Sequence, residues 1–472
     1  MKCCSIIRKN MFRKSLIFVK PYLFNSRYLS NKAEGLSKTA ETKWDIIISG
    51  GGMVGCALAA SLGSSSILAE QKILLLESSP KSHYPIDPNR YSNRVTALNN
   101  STKELFEGFK AWETICNLRM KEVKKMVVWE ACSDARISIQ QEFLQDDIAY
   151  IVENDVILNA LSSTLDNLSD HVHVLRGVKA EDYTLPVKKD DLVTVNLNDG
   201  ISLKTKLLIG ADGVNSLVRK KMNVNYIGWN YEQKGIVATL KLSEPTENIV
   251  AWQRFLPSGP IALLPLTDDL CSLVWTVSLP MCDKLLEMPE EQFVDALNSA
   301  LWKEEGKNAI VESAMSTFKN VISSISPGYG STRQLPPSIL SVESNSRAAF
   351  PLGLGHSTKY VAPRVVLIGD SAHRVHPLAG QGVNLGFGDV KCLTECLEKL
   401  VYDGSTLEDI NYLLEYETKR QRHVVPKMFA IDALNRIYKT EFTPIVLLRS
   451  LGVAALDACQ PMKNIMIKQA SS

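Results

Sequence analysis

The sequence predicts an α/β protein in which a lobe built on a parallel sheet is interleaved with an α+β lobe whose sheet is mostly antiparallel. An apolar stretch of strand length, residues 45–49, runs directly into a glycine-rich turn and then into small apolar residues. Two further apolar stretches end in glycine and aspartate, at residues 207–213 and 365–370. Alternating stretches, such as Ala135 to Ile139 between the first and second of these three, are typical of half-buried antiparallel strands. Strand, glycine turn and helix in this order are typical of the Rossmann-type fold.

The composition is that of a large globular protein without a strong overall charge. The chain has 472 residues, of which 45% are hydrophobic and 22% are charged, and its net charge is +2. Residues 1–33 hold eight lysines and arginines and no acid, so the remainder carries 45 basic and 51 acidic residues. A mildly acidic body argues against a nucleic-acid-binding protein, because such proteins neutralise phosphates with lysine and arginine.

The first 33 residues have the composition of a mitochondrial transit peptide. Basic residues are mixed there with hydroxyl residues and with large apolar residues such as Phe12 and Phe24. Acid-free amphipathic leaders of this kind are typical of mitochondrial import, and residues 27–30 would suit processing. The alternative is a disordered basic tail. A secretory signal fits less well, because Lys14 and Lys20 interrupt the apolar stretch that it needs.

Cysteine usage and hydropathy predict a reduced compartment and no membrane span. The ten cysteines form no CxxC pair, as expected of thiols that are kept reduced. Cys392 and Cys396 lie one helical turn apart, but no further cysteine or histidine lies at ligand spacing, so we predict no metal site. Because no stretch of about 18 consecutive apolar residues occurs, we expect a soluble or peripheral protein.

The first glycine cluster predicts a dinucleotide-binding site. Gly50 permits the tight turn, Gly52 lets the backbone approach a pyrophosphate, and Gly55 lets the following helix pack closely on the strand. The next strand, residues 72–76, ends at Glu77, whose carboxylate would accept hydrogen bonds from ribose hydroxyls. An isolated motif often marks only a glycine turn, but here strand, helix and acid are all in place. The acid favours FAD or NAD over NADP.

Two more glycine clusters follow apolar strands later in the chain. The second contains Asp212 and Gly213, and the third contains Gly369 and Asp370. Each alone could be a strand that ends in a turn. Their order after a Rossmann-type motif argues against coincidence.

Five longer stretches carry a family resemblance: Asn93–Leu98, Val152–Ile157, Ala251–Leu266, Phe350–Gly355 and Ala372–Gly388. Together with the glycine clusters they resemble the aromatic flavoprotein hydroxylases related to para-hydroxybenzoate hydroxylase. Within that family the sequence is most similar to the members that act in mitochondrial ubiquinone biosynthesis. The resemblance covers nearly everything after the leader and implies FAD as the cofactor.

The resemblance implies cofactor contacts for several polar residues. Arg94 would place its guanidinium against the FAD pyrophosphate, where a planar donor group suits phosphate oxygens, although a surface salt bridge is the alternative. Asp370 would accept hydrogen bonds from the ribityl hydroxyls. Asp212 and Gly213 are similar to the family's second flavin-side motif, which in relatives touches both FAD and the reductant. Alternatively, Asp212 only caps a helix that begins near Val214.

The segment after the third cluster is expected to pass the isoalloxazine ring and then to begin a helix that runs to about Leu400. Glycines there let the main chain come close to the ring. Four loop residues would face the flavin: Pro377, Leu378, Gly380 and Gln381. Three backbone N–H groups at the helix start would stabilise negative charge on the reduced flavin: those of Gly382, Val383 and Asn384.

The predicted domain organisation is discontinuous. The leader, 1–33, and the C-terminal helices, 426–472, enclose an FAD-binding domain of 44–120, 154–224 and 346–425 and a substrate domain of 121–153 and 225–345. In the substrate domain Leu263, Leu264, Pro265 and Leu266 could wall an apolar ring pocket or belong to an ordinary core. Residues 281–340 are interpreted as helix plus loop, an insertion that could serve a partner or a lipid tail.

Two helical segments are expected after Pro426, the second from Pro444 to Gln469. An amphipathic stretch of this kind most often docks onto its own domain. The alternatives are a partner protein or a membrane surface.

The resemblance implies an FAD-dependent monooxygenase that hydroxylates carbon C5 of a polyprenyl 4-hydroxybenzoate-type intermediate of ubiquinone biosynthesis through a flavin C4a-hydroperoxide. Its partners would be the prenylated substrate, O2 and the ubiquinone-biosynthesis protein complex. Ferredoxin and its reductase would donate electrons, although NAD(P)H is also compatible with the sequence. The enzyme would lie peripherally on the matrix side of the mitochondrial inner membrane.

Two other functions would use the same cofactor lobe: a flavin dehydrogenase or oxidase, and a catalytically idle flavin-binding scaffold of the complex. No general base is identifiable in the sequence. His373 and His376 lie in the flavin loop, and we interpret them as structural hydrogen-bonding residues rather than catalytic or metal-binding residues.

Overall fold

The computed structural model describes residues 43–80, 86–140, 147–188, 190–303, 308–325, 334–377 and 380–471. The predicted transit peptide, Leu378 of the predicted flavin loop and most of the loop that follows residue 325 lie outside these ranges.

The described residues form two large sheets, a small sheet and the helices that cover them. The strands are β1 (Lys43–Ser49), β2 (Ile73–Glu77), β3 (Val95–Leu98), β4 (Lys121–Val123), β5 (Lys125–Glu130), β6 (Arg136–Gln140), β7 (Ala149–Glu153), β8 (Val172–Arg176), β9 (Ala180–Thr184), β10 (Val193–Leu197), β11 (Ser202–Gly210), β12 (Tyr226–Leu242), β13 (Val250–Phe255), β14 (Ile261–Pro265), β15 (Leu270–Ser278), β16 (Ile339–Val342), β17 (Ala348–Ser357), β18 (Val361–Ala362), β19 (Val365–Leu367) and β20 (His373–Arg374). The helices are α1 (Met53–Ser64), α2 (Asn100–Gly108), α3 (Trp112–Leu118), α4 (Asn154–Asn167), α5 (Leu217–Lys221), α6 (Leu279–Glu287), α7 (Glu290–Trp302), α8 (Ala309–Ile325), α9 (Gly382–Tyr402), α10 (Ile410–Lys439), α11 (Thr443–Ala458) and α12 (Gln460–Ser471).

The first sheet has a parallel centre in the order β19-β11-β1-β2-β8, with β18, β9 and β10 attached in antiparallel pairing. Ile46, Ile47 and Ile48 of β1 are fully buried, as expected of a strand covered on both faces. Helices α4 and α9 both pack on α1. The carboxyl ends of β1, β11 and β19 therefore meet at one edge, and each of them leads into a glycine cluster.

The second sheet has the order β20-β17-β12-β15-β14-β13-β5-β6, with β16 also on β12. Its pairs are antiparallel except β13 with β5. One face carries a core to which α6 and α7 contribute Cys282, Phe293 and Leu297. The chain thus passes between two sheets, as the alternation of patterns predicts.

Two expected boundaries differ from the structure. The segment 346–425 was assigned to the FAD-binding domain, but β17 pairs along most of its length with β12 of the second sheet. Its glycines and Pro351 made this strand resemble a loop. The C-terminal segment was expected to begin at Pro426, but α10 continues through this proline to Lys439. Pro426 is exposed, and the packing of Val424 and Met428 on either side keeps the helix continuous.

The two last helices, α11 and α12, are short, with 16 and 12 residues. Within the described ranges, no single helix is both long and apolar enough to cross a membrane. The pair Thr443–Ala458 and Gln460–Met466 meets the criterion only together, with a bend of 98° between its halves.

Candidate cofactor and substrate site

The first two glycine clusters are in direct contact. Gly50 has φ +113°, and a Cβ atom added there would lie 2.4 Å from the carbonyl oxygen of Ala211 in the second cluster. A Cβ on Gly55 would lie 1.9 Å from the Gly50 carbonyl oxygen, so α1 begins pressed against the turn. Gly52, the residue that precedes α1, is exposed, and a Cβ on it would meet nothing within 4 Å. The N-terminus of α1 therefore faces open space, where an anion would be stabilised.

Glu77 lies beside this turn, as the motif predicts. A Cβ added to Gly51 would lie 2.3 Å from Glu77 Oε2, and the Ser79 N–H donates to Glu77 Oε1 at 2.5 Å. The carboxylate is thus held at the end of β2, next to the start of α1.

The third cluster packs on the other two. Gly369 has φ +59°, and a Cβ on it would lie 3.3 Å from both γ-carbons of Val54 in α1. The hydroxyl of Ser371 donates to the Gly210 carbonyl at 2.5 Å, and Arg219 donates to the Ser371 carbonyl at 2.8 Å. Asp370 is exposed to solvent, but protein atoms surround much of its carboxyl group, and this desolvation raises its pKa. The three clusters therefore form one site.

Asp212 performs the capping role that was held as the alternative. Its Oδ2 accepts the N–H groups of Leu217 and Val218 at 2.7 and 3.2 Å, at the start of α5. Its Oδ1 is buried and has no hydrogen-bond partner among the described residues. Gly213 has φ +77°, which a glycine adopts without strain. One oxygen of Asp212 thus remains for a bound group.

The predicted flavin loop is fixed by the side chain of Asn384. Its Nδ2 donates to the carbonyls of Ala97 and Gly380 at 2.8 and 3.3 Å, and its Oδ1 accepts from Thr102 Oγ1 at 2.9 Å. The side chain is therefore used within the protein, and only the backbone of Asn384 can serve a cofactor. The first helical bond of α9 runs from Leu385 N–H to the Gln381 carbonyl, so the preceding N–H groups point out of the helix.

Arg94 lies at the surface beside β3. Its carbonyl accepts the Asn154 N–H at 3.0 Å, which fixes the backbone, and its guanidinium forms no ion pair within the described ranges. The surface salt bridge that was the alternative is therefore not seen there. The neighbouring ion pair is instead Arg119 with Glu153, at 2.5 Å.

A cluster of apolar side chains adjoins the flavin loop. Leu264 and Leu266 pack in a cluster with Ala97 and Met126, whereas Leu263 points to the opposite face of β14 and lies in the core of the second sheet. A Cβ on Gly380 would lie 3.7 Å from Ala97 Cβ, so the loop reaches this cluster. A separate cavity of about 360 Å³, between β5, β13, α7 and α8, is lined by none of the residues of the glycine clusters.

Comparison with known proteins agrees with this geometry. The sequence model of the family described as FAD binding domain matches residues 332–428. The chain is 50% identical over 450 residues to the ubiquinone biosynthesis monooxygenase COQ6, mitochondrial, of Danio rerio, covering 94% of this chain and 93% of the relative. The human protein of the same name is 48% identical over 438 residues, covering 92% and 93%. The chain belongs to the family of mitochondrial ubiquinone biosynthesis monooxygenases.

Solved structures show the same fold. The p-nitrophenol 4-monooxygenase PnpA from Pseudomonas putida DLL-E4 has a TM-score of 0.65 at 17% identity, covering 92% of this chain and 99% of that chain. The probable FAD-dependent monooxygenase pqsL from Pseudomonas aeruginosa has 0.64 at 19%, covering 87% and 99%. The predicted fold class, the FAD cofactor, the monooxygenase class and the mitochondrial location of this family member are thus confirmed.

The residues of this family member fit FAD. The open N-terminus of α1 at Gly52 can take the pyrophosphate, and Glu77 lies beside it. The unpaired oxygen of Asp212 and the accessible carboxylate of Asp370 are acceptors for hydroxyl or N–H groups. The backbone N–H groups at the start of α9 are donors near the loop.

A buried network behind the flavin loop was not predicted from the sequence. Asp389 of α9 is fully buried and accepts hydrogen bonds from Gly369 N–H at 2.8 Å and Arg420 Nε at 2.6 Å. His373 Nε2 lies 2.7 Å from the same carboxylate. Burial opposes ionisation, but His373 and Arg420 outweigh it and lower the pKa of Asp389. The sequence feature that could have indicated this network is Asp389 itself, an acid within the apolar face of a predicted helix.

The two loop histidines have different surroundings. His373 belongs to the Asp389 network, as a structural hydrogen-bonding residue should. His376 is buried with its ring 5.0 Å from that of Tyr231, and burial lowers its pKa to about 4. His376 is therefore neutral near pH 7. No cluster of three or more potential metal ligands occurs within the described ranges.

Proposed function

We propose that this monooxygenase hydroxylates carbon C5 of a polyprenyl 4-hydroxybenzoate-type intermediate of ubiquinone biosynthesis, with O2 as the oxygen source. The observation that most supports this proposal is the contact between the flavin loop at Gly380 and the apolar cluster of Ala97, Leu264 and Leu266. An aromatic ring held by that cluster would lie against the loop. The name of the relatives supports the pathway.

We infer the following cofactor contacts from the positions of these residues. The pyrophosphate would lie at Gly52 and the start of α1, with Gly50 and Gly55 shaping the turn and Arg94 supplying an unpaired guanidinium. Glu77 would bind the adenosine ribose. Further contacts would come from Asp370 to the ribityl chain, from Asp212 and Gly213, and from the N–H groups of Gly382, Val383 and Asn384.

The protein's part in the reaction is positional and electrostatic. Bound FAD supplies the redox chemistry that activates O2. When FAD is bound, the N–H groups at the start of α9 would stabilise negative charge on its ring. The loop residues Pro377, Leu378, Gly380 and Gln381 would face the flavin, and the apolar cluster would keep water from the reacting ring carbon. The substrate's own hydroxyl activates its ring, and no general base is assigned.

Partners and membrane position form a further part of the proposal. Ferredoxin and its reductase would donate electrons, with NAD(P)H as the other candidate. The enzyme would work within the ubiquinone-biosynthesis protein complex, peripherally on the matrix side of the inner membrane. A prenylated substrate supports this position, because its tail partitions into lipid.

Replacement of Gly52 tests the proposed function. A Cβ atom added there would meet nothing within 4 Å, and a valine side chain would occupy the proposed phosphate position, so the fold should survive while FAD binding is lost. Cells that lack the native protein and carry Gly52→Val should accumulate a prenylated ring that lacks one hydroxyl group. The matched control is Gly108→Val, at a glycine where an added Cβ atom also meets nothing within 4 Å, and it should restore ubiquinone. Normal ubiquinone with Gly52→Val would overturn the proposal.

A further inference from the structure

Strand β13 lies on the face of the second sheet that is directed toward the flavin loop. At one end of the strand, Ala251 packs in the same apolar cluster as Leu264, and the loop reaches this cluster at Gly380. At the other end, Phe255 packs in one cluster with Val375, which precedes the loop. The two ends of β13 therefore approach the two sides of the flavin loop.

Gln253 lies midway between Ala251 and Phe255, and side chains two residues apart in a strand point to the same face of the sheet. The residues on either side of Gln253 point to the opposite face. Trp252 belongs to the core that the helices cover, and Arg254 donates to a backbone carbonyl of α7 at 2.9 Å. The side chain of Gln253 is therefore directed toward the flavin loop.

The surroundings of Gln253 on this face are apolar. Val128 of β5 and Ala262 of β14 lie beside it in the strand register, and Ala251 and Phe255 lie before and after it along β13. The side chain of Gln253 is half-buried and forms no hydrogen bond with any residue of the described ranges. A partly buried amide in an apolar setting lowers stability unless water or a ligand bonds to it. Gln253 is thus a hydrogen-bonding group that the fold itself does not use.

The chemistry of the amide selects the kind of group that it would bind. An amide both donates and accepts hydrogen bonds, which matches a hydroxyl group, whereas an ionised carboxylate only accepts. The charged group nearest in the strand register is Glu130, which pairs with Phe255 of β13. It is neutralised by Arg449, whose Nε lies 2.6 Å from Glu130 Oε2. A neutral hydroxyl group therefore fits this part of the face better than a charged group does.

We propose that the side chain of Gln253 hydrogen-bonds the phenolic hydroxyl group of the substrate ring and so sets the orientation of that ring. This inference rests on the proposed function and names the residue that recognises the hydroxyl group. The apolar neighbours of Gln253 contact the ring carbons, and its amide is the polar group among them. Pockets of this kind, mostly apolar with a few placed polar groups, are typical of small-molecule sites.

The hydrogen bond to Gln253 serves the choice of the ring carbon. The phenolic hydroxyl group is on C4, and C5 is the adjacent ring atom. A ring held by its hydroxyl group at Gln253 therefore has C5 at a fixed position relative to the flavin loop, which is the positional contribution that hydroxylation at one carbon requires.

A comparison of two ligands with two protein variants tests the proposal. The ligands are 3-prenyl-4-hydroxybenzoate with one isoprenoid unit and the same ring without its hydroxyl group, 3-prenylbenzoate. Their dissociation constants are measured with the FAD-loaded full chain by calorimetry. The wild type should bind the hydroxylated ring about fivefold or more tightly than the other ring, because one hydrogen bond is added. In Gln253→Met, which keeps the length of the side chain but removes the amide, this preference should vanish.

The affinity of Gln253→Met for 3-prenylbenzoate should equal or exceed that of the wild type. Its melting temperature should also be equal or higher, because an amide without a partner leaves an apolar face. The matched control is Gln71→Met, at another half-buried glutamine that precedes β2, and it should keep the preference for the hydroxylated ring.

Three results would overturn the role of Gln253. They are a hydroxyl preference that persists in Gln253→Met, a wild type that binds both rings equally, and a lower melting temperature of the variant with equal loss of affinity for both rings. The last result would assign Gln253 to the fold.

A separate measurement reports on the proposed function: product analysis of the wild type after photoreduction of its FAD and admission of O2. Hydroxylation at C5 together with an unchanged hydroxyl preference in Gln253→Met removes only the role of Gln253. Loss of the preference in the variant, without hydroxylated product from the wild type, removes only the proposed reaction.

Discussion

Asp389 accepts the backbone N–H of Gly369 at 2.8 Å, so the helix that follows the flavin loop fixes the turn that carries Asp370. The same carboxylate binds Arg420 of α10 and lies against His373. The turn at Gly369, the strand at His373 and helix α10 thus all contact the buried carboxylate of Asp389.

Asp389→Asn should destabilise the fold and weaken FAD binding together. The substitution leaves the buried Arg420 without a counter-charge, which typically costs about 3–5 kcal/mol. Urea unfolding of the apoprotein and FAD titration measure the two effects. Glu415→Gln, which removes surface pairs with Lys399 and Lys419, is the control and should change stability by less than about 1 kcal/mol. Unchanged stability of Asp389→Asn would show that Asp389 is not the counter-charge that stabilises the buried Arg420.

Asp370→Asn should weaken FAD binding without destabilising the apoprotein. Burial raises the pKa of Asp370, so its charge is unfavourable in the apoprotein, and the amide should leave apoprotein stability equal or higher. The FAD dissociation constant should rise by about tenfold or more, since a charged hydrogen-bond acceptor is lost. Melting of the apoprotein and fluorescence titration with FAD give both values. A lower melting temperature with unchanged FAD affinity would contradict the ribityl assignment.

Gly55→Ala should destabilise the fold, whereas Gly52→Val should leave it intact. A Cβ at residue 55 lies 1.9 Å from the Gly50 carbonyl, so the turn or α1 must move, at a cost of roughly 1–3 kcal/mol or more. The apoprotein should melt at a lower temperature and bind FAD poorly. Gly108→Ala is the control, with nothing within 4 Å of the new atom. A Gly55→Ala protein that melts like the wild type would indicate a looser turn.

His376 should make the fold sensitive to mild acid. Its pKa is lowered to about 4 from an ordinary value of 6.5, so the unfolded chain binds the proton more readily. Its contribution to stability is present above pH 6.5 and is lost as the pH falls towards 4, up to about 3 kcal/mol. The slope of unfolding free energy against pH should therefore be shallower in His376→Gln. A slope in His376→Gln equal to that of the wild type would contradict this role of His376.

The sequence predicts the local parts of the site well, for physical reasons. A strand, a glycine turn and a following acid are close in the chain, so Gly50, Gly55 and Glu77 lie where the motif expects them. The alternation of polar and apolar residues from Ala135 to Ile139 likewise predicts β6. The contact of Gly50 with Ala211 follows from parallel pairing of β1 with β11, which the order of the clusters suggests.

The other features of the site depend on contacts between residues that are far apart in the sequence. The carboxylate of Asp389 could not be paired with Arg420 before α9 and α10 were placed side by side. The side chain of Asn384 was assigned no partner, although it bonds to Ala97 and Thr102. Pro426 suggested a helix end, but tertiary packing of α10 outweighs the lost backbone hydrogen bond.

Titration of the purified apoprotein with FAD shows whether the three glycine and acid clusters together bind one FAD. We expect saturation at one FAD per chain, with flavin absorbance, and no binding of FAD to a folded Gly52→Val protein. A wild-type protein that stays colourless under saturating FAD, or a Gly52→Val protein that binds FAD normally, would contradict it.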